Sequence, residues 1–319
     1  MNSNNRIEYL DIAKGIGIIL VIIGHCISMK SYMGRFIYTF HMPLFFFIAG
    51  LCFNETRYTF SIFLTKRIRQ LIVPCIFFTL LLCLGAEYIM GKHDFMNLDN
   101  HLPSTLWFIP ILFLAEILFY VVCKLIKNDI IRITFIVSLG FAGYYLKKYN
   151  IDLPYSLTAV PVSMVFYGVG YYIKKYIGIE NKIGKKNNIY IFILSVVSII
   201  LFLQFTKIRT DLHYNIFFHP IENYICAFIG IGGLFSISHL ISIGSINIIK
   251  NFLLYCGKNT LVIMSIHLFY LNVYRHLIRP LIKNMEMLFY NSMEQIFMWT
   301  LVCFSIWLIN RKFAWIIGK

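Results

Sequence analysis

The chain has 319 residues, of which 59% are hydrophobic and only 13% charged, and its mean hydropathy is +0.73. A water-soluble domain carries roughly twice that share of charge, so a soluble globular protein is excluded and one membrane domain accounts for nearly the whole chain. The net charge of +15 belongs with basic loops against anionic lipid rather than with nucleic acid; a cytosolic polyanionic cofactor is a second use for it.

Apolar runs predict about ten membrane-spanning helices. Their cores lie at 10–28, 35–53, 71–90, 105–123, 131–147, 156–173, 189–206, 221–241, 255–272 and 296–315. The fold class is therefore all-α and polytopic, a single domain over 1–319 with no soluble domain and no internal repeat. The first apolar segment is too long for a cleavable signal and lacks a small-residue cleavage site.

The first span, RIEYLDIAKGIGIILVIIGHC, carries Asp11, Lys14 and His25. Ionisable groups in hydrocarbon are costly and mark functional positions. Lys14 and His25 are eleven residues apart, which turns them by only about 20° around a helix and separates them by about 16 Å along it. Asp11 sits one turn before Lys14, near the same face. Gly15, Gly17 and Gly24 allow neighbouring helices to approach closely.

The second span holds His41 two residues before Pro43. Proline frees a backbone carbonyl, so a bend is expected there. The next loop places Lys66, Arg67 and Arg69 within four residues, a dense positive site at a membrane surface. The fourth span has Trp107 suited to an interface, Pro110 suited to the first helical turn, and Glu116 well inside. His267 and Glu222 are weaker candidates of the same buried kind. The eight cysteines form no C-x-x-C pattern and fall in or beside apolar runs, so neither a disulfide framework nor a zinc site is expected. His93, His101, His213 and His219 show no metal-ligand spacing, and no metal is expected.

Lys and Arg are denser on one side, including Arg6, Lys66, Arg67, Arg69, Lys174, Lys175, Lys185, Lys186, Arg311 and Lys312. The positive-inside rule then places both termini in the cytoplasm. No G-x-S-x-G, H-E-x-x-H or Walker motif occurs, which removes support from hydrolase, zinc-protease and ATPase readings.

R-x-x-x-L-D-x-x-K, ten residues and a His, read from Arg6 through Lys14 to His25, resembles the first helix of the acyltransferase-3 family of membrane-bound O-acyltransferases. F-F-F-I-A-G resembles that family's F-F-x-x-S-G, with Phe45, Phe46 and Gly50 matching and Ala49 in place of Ser. The basic loop resembles the family's R-x-x-R imperfectly: Lys66 and Arg69 have the spacing with Lys for Arg, and Arg67 to Gln70 loses the second cation. LWFIPILFLAEILFY, VPVSMVFYGVGYYIKK and CGKNTLVIMSIH look like later family segments.

The resemblance implies an O-acyltransferase using cytosolic acetyl-CoA or another acyl-CoA. The acceptor would be a hydroxyl of a cell-surface polysaccharide or lipid-linked sugar at the bacterial inner membrane. His25 is then the expected general base, or a transient acyl carrier, because imidazole takes a proton from an alcohol near neutral pH. Lys14 is expected to hold a donor phosphate or the thioester oxygen, with Asp11 as its neutralising partner. Lys66, Arg67 and Arg69 are expected to bind the phosphates of coenzyme A. His41 is expected beside His25 or on the acceptor sugar, and Glu116 to pair with Lys14 or another base. The bland alternatives are a His bonded to a neighbouring helix, a snorkelling Lys14, a helix N-terminal Asp11, a loop that only sets topology, and a polar contact at the Pro43 bend. Two other functions fit ten spans with buried charge: a transporter or flippase for a glycan or lipid-linked sugar, and a non-catalytic partner in polysaccharide-synthesis machinery. Crowding of the candidate residues into the first quarter of the chain favours the enzyme.

Overall fold

The computed structural model describes residues 7–91, 106–149, 151, 153–179, 183–206, 210–214, 216, 219–282 and 287–318. Arg6, His93 and His101 lie outside them. Ten helical segments among the described residues are long and apolar enough to cross a membrane, and the fold is all-α as the apolar runs predict. The contacts divide the chain into two compact units, Met1–Arg57 with Leu114–Thr260, and Tyr58–Phe113 with Leu261–Lys319.

In the first unit, α1 (Glu8–Cys26) and α2 (Tyr32–Cys52) form a hairpin. Ser31 caps α2: its Oγ accepts from the Gly34 amide at 3.0 Å and donates to the Ser28 carbonyl at 2.6 Å. Gly34 is required in this turn, since a Cβ there would overlap the Ser28 carbonyl oxygen. The unit continues through most of α5 (Phe108–Leu125), then α6 (Asp129–Lys148), α7 (Ala159–Tyr176), α8 (Lys185–Thr206), α9 (Pro220–Ile243) and α10 (Asn247–Lys258). Leu10, Ala13, Phe40, Leu44, Phe47, Leu51, Leu203 and Leu234 join α1, α2, α8 and α9 in one buried cluster.

Two helix crossings bring backbone against backbone through paired glycines. A Cβ on Gly50 of α2 would strike the Tyr167 carbonyl of α7, and one on Gly170 of α7 would strike the Phe47 carbonyl of α2. Gly15 of α1 and Gly257 of α10 stand in the same relation, against the carbonyls of Leu253 and Asp11. In lipid the hydrophobic effect does not draw helices together, so such close van der Waals contact is a main source of association.

One end of this unit is fastened by a buried guanidinium. Arg132, 2% exposed, donates from Nε to the Ile126 carbonyl at 2.9 Å and from Nη2 to the Cys123 carbonyl at 3.3 Å. These are orphan acceptors at the end of α5. Its Nη1 lies 3.4 Å from both Glu55 and Asp129. Lys175 completes the network on Asp129 at 2.5 Å, and Lys174 donates to the Phe53 carbonyl at 2.8 Å. Phe53 plugs the same end among Phe119, Tyr120, Tyr167 and Tyr171.

The second unit contains α3 (Phe60–Arg67), a π-turn (Ile68–Ile72), α4 (Val73–Met90), the first turns of α5, α11 (Thr260–Val273), a second π-turn (Tyr274–Ile278), α12 (Met287–Lys312) and a 3₁₀ turn (Ala314–Ile317). The third predicted span began at residue 71, but the helical run starts at Phe60; the polar first turns mask it in a hydropathy reading. The ninth, predicted over 255–272, is interrupted at Asn259, outside both α10 and α11. There Asn259 Nδ2 donates to the Tyr255 carbonyl at 2.8 Å and Thr260 Oγ1 to the Gly257 carbonyl at 2.8 Å, side chains competing with the backbone ladder.

Candidate active site

α1 positions three of the expected residues. Lys14 Nζ lies 2.6 Å from Asp11 Oδ1. The carboxylate is buried and the ammonium about a quarter exposed (27%), so the pair cancels charge inside the bundle while one side stays accessible. Lys14's ion-pair partner is Asp11, not Glu116. Glu116 is buried on α5 at 2% exposure.

His25 is half-buried in the last turn of α1. Across the hairpin, His41 of α2 is buried, and the two imidazoles are near enough to interact electrostatically. The antiparallel hairpin thus brings together the two histidines that sequence placed sixteen residues apart. His41 Nδ1 lies 2.8 Å from the Ile37 carbonyl. A carbonyl only accepts, so Nδ1 carries the proton and the neutral ring keeps its lone pair on Nε2. The Tyr38 ring packs edge-on to this imidazole at 4.8 Å, and Gly24 lets that tyrosine lie close to α1. A proton acceptor of fixed tautomer beside a second imidazole is an arrangement suited to deprotonating a hydroxyl.

In the second unit the three cations do not act as one cluster. Lys66 and Arg69 line a cleft of about 390 Å³ together with Ser61, Ile62, Thr65, Gln70 and Gly318. Lys66 Nζ donates to Tyr58 Oη at 2.8 Å and lies 4.6 Å from that ring's centre. Arg67 is not among the cleft's lining residues. Its Nη1 donates to Gln70 Oε1 at 3.1 Å and its guanidinium lies over Phe63 at 5.2 Å. Helical spacing accounts for this split: Lys66 and Arg69 are three residues apart and share a face, while Arg67 is turned about 100° from Lys66. A π-turn follows at Ile68–Ile72. Val73 donates to the Ile68 carbonyl, five residues back, because Pro74 has no N–H for Gln70 and its ring crowds that carbonyl.

Sequence reasoning missed Ser61, Thr65 and Gln70 as neighbours of these cations, although positions 61, 65 and 69 recur at helical spacing. It also missed Arg132, whose signal was Asp129 three residues earlier. His267 is fully buried on α11, with Nδ1 2.9 Å from the Ile263 carbonyl.

Apolar helices with buried ion pairs and paired imidazoles define a polytopic membrane protein built around internal polar chemistry. The chain belongs to the acyltransferase-3 family: the family's Acyltransferase domain matches residues 7–310. Among curated proteins it is similar to nodulation protein NolL of Mesorhizobium japonicum, 30% identical over 227 residues, covering 64% of this chain and 58% of that protein. NolL of Sinorhizobium fredii is 32% identical over 124 residues, 34% of each chain. The chain thus spans little more than half the length of the first relative and a third of the second. No solved structure matches.

Proposed function

We propose that the protein is a membrane-bound O-acyltransferase. It moves an acetyl or other short acyl group from cytosolic acyl-CoA to a hydroxyl of a cell-surface polysaccharide or lipid-linked sugar. The setting is the bacterial cytoplasmic membrane with both termini inside, a topology supported by the distribution of Lys and Arg. Membership of an acyltransferase family favours this over transport. What supports the reading is the α1–α2 hairpin, which carries His25 on one helix and His41 on the other, with the His41 tautomer set by the Ile37 carbonyl.

In the direct reaction an imidazole takes the proton of the acceptor hydroxyl as its oxygen attacks the thioester carbonyl. A C–O bond forms, the C–S bond breaks, and the departing coenzyme A thiolate recovers the proton from the imidazolium. His25, the more exposed of the two, meets the hydroxyl, and His41 supports it. Lys14, neutralised by Asp11, polarises the thioester oxygen. Lys66 and Arg69 hold donor phosphates, Arg67 aims Gln70, and Glu116, buried on α5, is assigned to the acceptor. Polysaccharide-synthesis enzymes are the partners such an activity would serve.

The test is transfer from radiolabelled acetyl-CoA by purified protein in liposomes, with release of free coenzyme A thiol followed in parallel. His25→Ala is expected to abolish both. Undiminished transfer in that variant would remove the histidine from the chemistry.

A further inference from the structure

A second polar site lies in the first unit, on the side of α2 turned away from His41. Thr39 and Pro43 are four residues apart and share a face of that helix. His41 is two residues from each, about 200° around the axis. Thr39 and Pro43 line a small cavity with Tyr144 of α6, Phe166 of α7, and Asn223 and Tyr224 of α9. Its volume of about 10 Å³ admits a single oxygen-sized group. Pro220, the first residue of α9, also lines it, which places the cavity at the end of the bundle where that helix begins.

Two polar groups border this cavity without partners. Thr210 Oγ1 donates to Asn223 Oδ1 at 2.9 Å. The other end of that amide, Nδ2, has no hydrogen-bond partner among the described residues, although Asn223 is only 4% exposed. The buried Tyr224 hydroxyl is in the same condition. Gly140 of α6 leaves room for it, since a Cβ there would lie 2.9 Å from Tyr224 Oη. Thr39 Oγ1 gives its proton to the Arg35 carbonyl at 2.8 Å and keeps lone pairs for another donor. Burying polar groups unpaired costs stability, and a fold keeps such groups together where function needs them. Among the described residues no charged side chain lines the cavity, so a phosphate or carboxylate would find no counter-ion there.

We propose that this cavity is a specificity subsite that takes one hydroxyl of a neutral sugar in the acceptor. Asn223 Nδ2 donates to the sugar oxygen, and Tyr224 Oη or Thr39 Oγ1 accepts its proton. The rings of Phe166 and Tyr224, 5.2 Å apart, and that of Tyr144 offer apolar surface to the C–H groups of the pyranose. Apolar walls with a few oriented polar groups are the usual means of fixing a small neutral ligand. Because α2 itself, about 10 Å across, stands between the cavity and His41, the hydroxyl held here is not the one acylated. The subsite reads a different unit of the acceptor. It rests on the glycan-acylation reading above, which puts the start of α9 on the outer side of the membrane.

The full-length protein in nanodiscs, without acyl-CoA, would be titrated by saturation-transfer NMR with the methyl glycosides of glucose, galactose and mannose. At least one is expected to bind. Tyr224→Phe and Asn223→Ala should each weaken it about fivefold, the worth of one neutral hydrogen bond. Tyr224→Phe removes one oxygen and no existing hydrogen bond, so it carries the test even if Asn223→Ala, which also loses the Thr210 contact, does not fold. Tyr190→Phe, at an exposed tyrosine of α8, should change nothing. Binding absent for every glycoside, unchanged in Tyr224→Phe, or weakened as much by Tyr190→Phe overturns the subsite. Acetylation of cell-surface polysaccharide is read separately and should fall severalfold in cells carrying Tyr224→Phe. Acetylation at the wild-type level in that variant overturns the acceptor role and leaves the reaction standing. A wild type that binds a glycoside through Tyr224 and transfers no acetyl group keeps the sugar site and removes the reaction.

Discussion

Lys14 and Asp11 form an ion pair one turn apart on α1, and the backbone of Asp11 is itself pressed against Gly257 of α10. Asp11 is buried, at 3% exposure. Lys14→Met should therefore remove the ammonium that faces this buried carboxylate and cost on the order of 1–3 kcal/mol of stability. Asp11→Asn combined with Lys14→Met should recover most of that loss in a thermal denaturation assay. The double variant should still fail in acyl transfer, which separates packing from chemistry at this pair.

His25→Ala and His41→Ala are each expected to lower acyl transfer by about 10²-fold or more, the usual contribution of a positioned acid–base group. Both should retain native melting behaviour within a few degrees. The two differ in origin. His41→Ala also strips a hydrogen bond from Ile37, so its melting temperature should fall further than that of His25→Ala.

Arg132→Met removes the guanidinium on which Glu55, Asp129 and the Cys123 and Ile126 carbonyls at the end of α5 converge. Loss of one partner from a buried ionic network costs about 3 kcal/mol, visible as a lower unfolding midpoint. Lys127→Met, a few residues away in the connection to α6, should have little effect.

Gly50→Val should prevent α2 from meeting α7, with folded yield falling to near zero in fluorescence-detected size exclusion. Gly232→Ala on α9 makes the contrast. A Cβ there meets nothing within 4 Å, and Ala is the better helix former by about 1 kcal/mol, so this variant should match or exceed the wild type.

A cavity of about 10 Å³ lies between Thr39, Pro43, Thr210, Asn223 and Tyr224, and the buried Tyr224 hydroxyl has no hydrogen-bond partner among the described residues. Tyr224→Phe should leave the melting temperature unchanged or slightly raised, because an unsatisfied buried hydroxyl contributes nothing in return for its desolvation.

The membrane helices were readable because apolar length alone determines them, as in 10–28 or 221–241. The relation of Asp11 to Lys14 was readable from three-residue spacing, whereas a meeting of His25 and His41 was expected only on the condition that the first two helices pack antiparallel. The basic loop was not. Three neighbouring cations look alike in a list, and although the helical period gives Lys66 and Arg69 one face, as found, it says nothing of the π-turn that follows. Pro74 was the local signal, five residues beyond Arg69. Arg132 escaped for a different reason: near a membrane boundary a lone arginine reads as topology, and only tertiary packing brings Glu55 to it.

The π-turn between Ile68 and Ile72 makes this helix sensitive to length in a way ordinary helices are not. Removing a single residue there would restore regular winding and swing everything before it by about 100° relative to α4. Ser61, Thr65 and Lys66 would then present to a different quarter while the lipid-facing side of α4 stayed where it is. A one-codon deletion in this stretch amounts to a rotation of the cleft.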